Sequence, residues 1–202
     1  MCRHLLNEGF KVAYFKPVQT GAQELDGKLI SVDTEYVKSI CSDELRVIEP
    51  VIFKLPASPH LAAAEEGVEI DIDALLQKAK DVDDVDYLIV EGAGGIAVPF
   101  NNSMDMAGFC QKLGAELILV CRANLGTLNH TFLALSYAES FQLEASIIIS
   151  GCAENPDVIE ADNLKMIEAK SGGRIIGTIP LLSGLDTEDF SGKNTPEINF
   201  NV

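Results

Sequence analysis

The chain has 202 residues, enough for one domain that buries about 70% of the surface its unfolded form would expose. Hydrophobic residues make up 47% and charged residues 23%, the balance of a folded globular protein rather than a disordered one. With 15 Lys and Arg against 31 Asp and Glu, the net charge of −16 argues against a nucleic-acid-binding surface, so no nucleic acid is expected as a partner.

No apolar run approaches the ~20 residues a membrane span needs. The segment Met1 to Phe10 lacks the apolar core and cleavage site of a signal peptide, so no membrane partner is expected and the expected address is cytoplasmic. The 5 cysteines form no Cys-x-x-Cys pair and none lies near a histidine at zinc-ligand spacing, which suggests free thiols in a reducing compartment.

In chain order, Met1 to Gly9 reads as the second half of a helix, with Leu5 and Leu6 on its apolar face and Gly9 as its C-cap. Strand-like apolar runs follow at Val12–Phe15, Tyr87–Val90, Leu117–Cys121, Ala145–Ile149 and Ile175–Ile179. Each is apolar nearly throughout, as for strands covered on both faces. Helical patterns lie near 33–41, 71–81, 104–113, 129–140 and 157–170, with Asp33, Asp71 and Asn129 as candidate N-caps and Gly114 and Gly172 as terminators. The stretch from Glu49 to Gly67 is the longest without clear periodicity and reads as a loop. The tail, 191–202, is polar and expected to be loosely held. Strands alternating with helices predict a three-layer, doubly wound, mostly parallel α/β sheet, in a single domain over 1–190.

In such sheets ligands bind beyond the carboxyl ends of the strands, so the residues after each strand carry the functional reading. Lys16-Pro17-Val18-Gln19-Thr20-Gly21 follows the first run. Pro17 holds Lys16 extended, and Lys16 is either a solvated strand-end lysine or a cation for a transferring phosphoryl group. Glu91-Gly92-Ala93-Gly94-Gly95 pairs a carboxylate with a glycine-rich turn, which suits a Mg²⁺ ligand beside phosphates. Asn124-Leu125-Gly126-Thr127-Leu128-Asn129-His130 precedes a helix, whose first N–H groups form either an anion site or an ordinary capped start. Asp33 is either a cap or a second metal carboxylate.

Taken together, these strings resemble dethiobiotin synthase, an ATP- and Mg²⁺-dependent cyclo-ligase of biotin synthesis with a P-loop NTPase-like fold. The similar segments are Tyr14-Phe15-Lys16-Pro17-Val18-Gln19-Thr20-Gly21, Ser31-Val32-Asp33, Ala57-Ser58-Pro59-His60-Leu61-Ala62-Ala63, Val90-Glu91-Gly92-Ala93-Gly94-Gly95, the Asn124–His130 string, and Gly177-Thr178-Ile179-Pro180. The resemblance implies 7,8-diaminopelargonic acid, CO₂ and ATP as substrates, Mg²⁺ as cofactor, and a homodimer with the substrate site at its interface. It implies Lys16 as the catalytic lysine, Thr20 and Gly126, Thr127, Leu128 and Asn129 as substrate-binding residues, and Asp33 and Glu91 as metal ligands. Gly92, Ala93 and Gly94 would lie on the nucleotide side, with Pro180, Leu181 and Leu182 beside the base. Ser150 stands where the family commonly has an Asn that reads the base.

The family's first strand and its loop ending in Gly-Lys-Thr should precede Met1, and no Gly-x-x-x-x-Gly-Lys-[Ser/Thr] occurs in the 202 residues. The expectation is a chain lacking its first strand and P-loop, through a late start or an incomplete fragment, that hydrolyses no ATP as written. The alternative is a non-catalytic dimeric binding module built on the same fold.

Overall fold

The structure is a computed structural model, and it describes residues 1–182; the expected tail, 191–202, lies outside the described residues. Contacts divide the chain into two compact units, one over Met1–Leu113 and one that begins at Gly114.

The first unit opens with α1 (Cys2–Asn7) and β1 (Val12–Phe15), followed by β2 (Val18–Gln19), the hairpin β3 (Gln23–Leu25) and β4 (Lys28–Ile30), and α2 (Val32–Ile40). Then come β5 (Arg46–Ile48), β6 (Val51–Ile52), α3 (Pro59–Glu65), α4 (Ile72–Lys80), β7 (Tyr87–Val90) and α5 (Met106–Leu113). The second unit holds β8 (Leu117–Arg122), α6 (Thr127–Ser140), β9 (Ala145–Cys152), α7 (Val158–Ser171) and β10 (Ile175–Pro180).

Among the described residues, all pairings between strands are parallel except one. In the first unit the sheet order is β5-β1-β7, with β2 paired to β6; in the second it is β10-β9-β8. The exception is the β3–β4 hairpin, whose Asp26 (φ 50°) and Gly27 (φ 75°) both take the left-handed conformation that a two-residue turn needs. The α/β class with mostly parallel strands is thus as the alternating pattern predicts.

The central strand β1 is buried along its whole length. Successive side chains point to opposite faces. Val12 and Tyr14 join a cluster with Cys2 and Leu5 from α1, while Phe15 packs with Phe53, Leu75 and Phe109. Burial on both faces holds for β1 but not for β7, β8 and β10, which carry half-buried or exposed positions. Each of those has one hydrogen-bonded neighbour among the described residues, so its outer edge brings no second layer of contacts.

Helix ends follow local chemistry. The α1 C-cap is Glu8; Gly9 (φ 88°) is the left-handed residue after it. Gly9 N–H bonds Leu6 O and Phe10 N–H bonds Leu5 O, the paired bonds of a Schellman ending. Asp71 caps α4 by accepting from Ala74 N–H at 2.9 Å, and Gly172 (φ 69°) ends α7, both as the sequence suggests. The stretch from Glu49 to Gly67, expected as a loop, contains β6 and α3, which are too short to show a period. Pro59 starts α3, and Glu66 accepts from the backbone of Lys54 and Leu55. Among the described residues no helix is long and apolar enough to cross a membrane.

Replacing Asp71 with Ala should lower the unfolding free energy by about 1 kcal/mol, and replacing it with Asn by much less, as read from urea midpoints. Equal loss in both variants would mean that the cap is not what Asp71 contributes.

Candidate active site in the first unit

Two successive alternations along β1 point Tyr14 and Lys16 to the same side of the strand. The register pairs Phe15 with Val90, and Glu91 N–H continues the ladder by bonding Phe15 O at 2.9 Å. Glu91 therefore leaves β7 directly beside Lys16. The Lys16 Nζ donates to Glu91 Oε1 at 2.9 Å and also contacts Asp33 Oδ2. Tyr14 donates its hydroxyl to the other oxygen, Glu91 Oε2, at 2.7 Å.

Asp33 arrives from the first turn of α2. It is not the N-cap expected from sequence: Ser31 is, accepting from Thr34 N–H at 3.3 Å. The start of α2 is fixed by a buried polar chain. Ser31 Oγ donates to Gln19 Oε1 at 2.8 Å and lies 2.7 Å from Thr34 Oγ1, and Gln19 Nε2 donates to Thr20 O at 2.7 Å. With Ser31 capping, Asp33 is freed to turn toward Lys16.

Lys16 is 6% exposed, so its charge is largely out of water. Burial alone would push its pKa down. The Glu91 and Asp33 charges and hydrogen bonds outweigh that and hold it above its ordinary value of 10.5, so Lys16 is an ammonium at neutral pH. Burial, then the Glu91 charge and its hydrogen bond, pushes the Tyr14 hydroxyl well above its ordinary value of 10.0. Burial pushes Cys2 up to about 12.

The two carboxylates keep 42% and 44% of their side-chain surface open, leaving lone pairs for a hard cation. Among the described residues no group of three or more His, Cys, Asp or Glu could hold a metal by itself. One or two carboxylates completed by phosphate oxygens and water are, however, the usual donor set of Mg²⁺, and Asp33 with Glu91 fits it.

Of the other first-unit candidates, Thr20 is half-buried in the turn after β2, where Gly21 (φ 66°) lies so close to Pro56 that a Cβ would sit 3.0 Å from its ring. Gly92, Ala93 and Gly94 form the turn after Glu91. Gly94 has φ 87°, which side chains rarely adopt, and a Cβ on Gly92 would meet Met106.

The second unit carries the remaining candidates at the carboxyl ends of its strands. Gly126 (φ 92°) is the N-cap of α6, which begins at Thr127 and not, as expected, after an Asn129 cap; the left-handed glycine turns the chain before Asn129 is reached. Thr127 is buried, with its hydroxyl 3.2 Å from that of Thr131. Leu128 is half-buried and Asn129 exposed. Pro180 ends β10, and Leu181 and Leu182 follow it, Leu181 N–H bonding Cys152 O at 2.7 Å. Ser150 lies inside β9, paired with Ile179 and Arg122.

Tyr14, Gln19 and Asn163 were not legible as site residues. Asn163, buried in α7, donates to Ala123 O at 3.0 Å and Asn124 O at 3.2 Å, clamping the turn that leads into Gly126. The available signal was a polar residue on the buried stripe Asn163, Ile167, Ser171.

The fold has solved counterparts. A protein from Borrelia burgdorferi B31 assigned to plasmid partition, solved bound to AMPPNP, matches with a TM-score of 0.57 at 14% identity, over 99% of this chain and 84% of that one. A family model described as an AAA domain matches residues 2–189. The fold is that of a P-loop NTPase-like α/β protein. The chain is 38% identical over 183 residues to the ATP-dependent dethiobiotin synthetase BioD of Anoxybacillus flavithermus, covering 89% of this chain and 82% of that protein. It is 35% identical over 187 residues to the enzyme of the same name from Clostridium acetobutylicum, covering 89% and 77%. The chain belongs to the ATP-dependent dethiobiotin synthetase family.

Lys16, Tyr14 and Cys2 all hold their protons more tightly folded than unfolded. Each contribution to stability is therefore complete below the unfolded pKa and is lost as pH rises through the folded one. Urea midpoints should fall steadily from about pH 9 to pH 12, with Cys2→Ala removing only part of the earliest decline, because burial raises Cys41, Cys110, Cys121 and Cys152 as well. A flat or rising midpoint across that window would contradict the site's electrostatics.

Proposed function

We propose that this chain serves the ATP- and Mg²⁺-dependent closure of the ureido ring of dethiobiotin from 7,8-diaminopelargonic acid and CO₂. The observation that carries the reading is the meeting of the Lys16 ammonium with the Asp33 and Glu91 carboxylates.

In this reading one substrate amine adds to CO₂ and loses a proton, giving a carbamate. A carbamate oxygen attacks the terminal phosphorus of ATP, the bond to the bridging oxygen breaks and ADP leaves, giving a carbamic–phosphoric anhydride. The second amine attacks the carbonyl carbon, loses a proton and expels phosphate. The chain's contribution is charge and position, the main demands of phosphoryl transfer. Lys16 neutralises the carbamate and the phosphoryl oxygens, and its permanent charge means that no proton has to be gained first. Asp33 and Glu91 would hold Mg²⁺, which supplies charge neutralisation at the phosphates when bound.

Thr20, and Gly126, Thr127, Leu128 and Asn129 at the start of α6, bind substrate, the helix N-terminus of α6 suiting its carboxylate. Gly92, Ala93 and Gly94 give the nucleotide close backbone approach, and Pro180, Leu181 and Leu182 line its base. A single domain over 1–190 is part of the proposal. Pairing of two copies is part of the reading, supported by the exposed apolar side chains Leu125 and Leu133 on and before α6.

Isothermal titration tests this with ATP·Mg²⁺ and diaminopelargonate added separately. ATP·Mg²⁺ should bind, and Lys16→Ala and Glu91→Gln should each weaken it at least about tenfold while leaving the fold intact. Unchanged nucleotide affinity in both variants would overturn the reading. Diaminopelargonate binding with no heat from nucleotide would point instead to a binding module without catalysis.

A further inference from the structure

Tyr14 stands in a cluster that needs no polar atom. Its neighbours there are Cys2, Leu5 and Val12, and the next strand residue, Phe15, shows that a plain aromatic ring is compatible with β1. The Tyr14 side chain is buried, so its hydroxyl would be costly without a partner. The partner it finds is Glu91 Oε2, at 2.7 Å.

The consequence lies with Glu91. Its carboxylate is gripped at both oxygens, by Lys16 on Oε1 and by Tyr14 on Oε2, and both grips come from one side of one strand, two residues apart. The two bonds are not equivalent. Lys16 divides its ammonium between Glu91 and Asp33, and it is the group whose charge a phosphoryl oxygen would claim. The phenol is neutral, has a single donor and has no second partner to serve. As an un-ionised phenol it donates throughout the ordinary pH range. When Lys16 turns to an anion, the Tyr14 bond remains to fix the carboxylate's rotation.

We propose that Tyr14 is a positioning residue for the metal site: by holding Glu91 Oε2 it orients the carboxylate so that its remaining lone pairs face the cation shared with Asp33. The inference rests on the metal reading of Glu91 and Asp33 given above. Groups that orient a ligating carboxylate commonly set metal affinity although they never touch the metal. A structural role alone makes a different forecast. Glu91 is nearly half open to water, which can replace the lost bond, so Tyr14→Phe would then alter stability and nothing else.

The experiment titrates the 202-residue chain with Mn²⁺ alone at neutral pH, reading free Mn²⁺ by electron paramagnetic resonance, with thermal unfolding of each variant alongside. The expected result is Mn²⁺ binding about tenfold weaker in Tyr14→Phe and weaker still in Glu91→Gln, with both variants unfolding cooperatively. Wild-type affinity in a folded Tyr14→Phe, with Glu91→Gln impaired, overturns the positioning role and leaves the metal reading standing. Wild-type affinity in Glu91→Gln, or no Mn²⁺ binding by the unaltered chain even with inorganic phosphate added to complete the donor set, overturns the metal reading and this inference with it.

Discussion

The first unit is organised around a charge that should not be buried alone. The Lys16 ammonium is almost wholly withdrawn from water, which in isolation would cost several kcal/mol. Two carboxylates, reaching it from separate elements, make the burial tolerable. Glu91 comes from the end of β7 and Asp33 from the first turn of α2. Neither arrives by chance. The parallel register of β1 and β7 sets one, and the Ser31 cap with its buried link to Gln19 sets the other. Sheet pairing and helix capping, both generic features, here have their value in bringing opposite charges to one point.

That point is also where the proposed chemistry would take place. A cation among half-open carboxylates is a poor stabilising device, since removing either partner strands a charge and an apolar replacement often does as well. It suits a site where anionic phosphate and a divalent cation exchange places with the protein's own charges. Membership of the dethiobiotin synthetase family fits that use, with the chain covering 82% and 77% of two relatives.

Much of the fold was legible because it rests on periodicity. The apolar runs at Val12, Tyr87, Leu117, Ala145 and Ile175 are strands, and the helices between them fall within a few residues of their expected spans. Short elements such as β2, β5 and β6 were not legible, since two or three residues cannot display a period. Caps were read where one residue decides, as at Asp71, and misread where neighbours compete. Ser31 takes the role that Asp33 could have filled, and Gly126 turns the chain ahead of Asn129. Lys16 and Glu91 could be singled out from their places after strands and Asp33 from its place at a helix start, and the resemblance grouped them. The bonds of Tyr14 to Glu91 and of Asn163 to Ala123 span 77 and 40 residues, and nothing local marks them.

The most direct test of this account is a double-mutant cycle in folding stability between Lys16→Met and Glu91→Gln, with unfolding free energies taken from urea titrations at neutral pH. Groups in one hydrogen-bonded ion network should show a coupling of at least about 1 kcal/mol, and that is the predicted result. Additive losses within experimental error would contradict it, because they would mean that the buried ammonium does not depend on the carboxylate beside it.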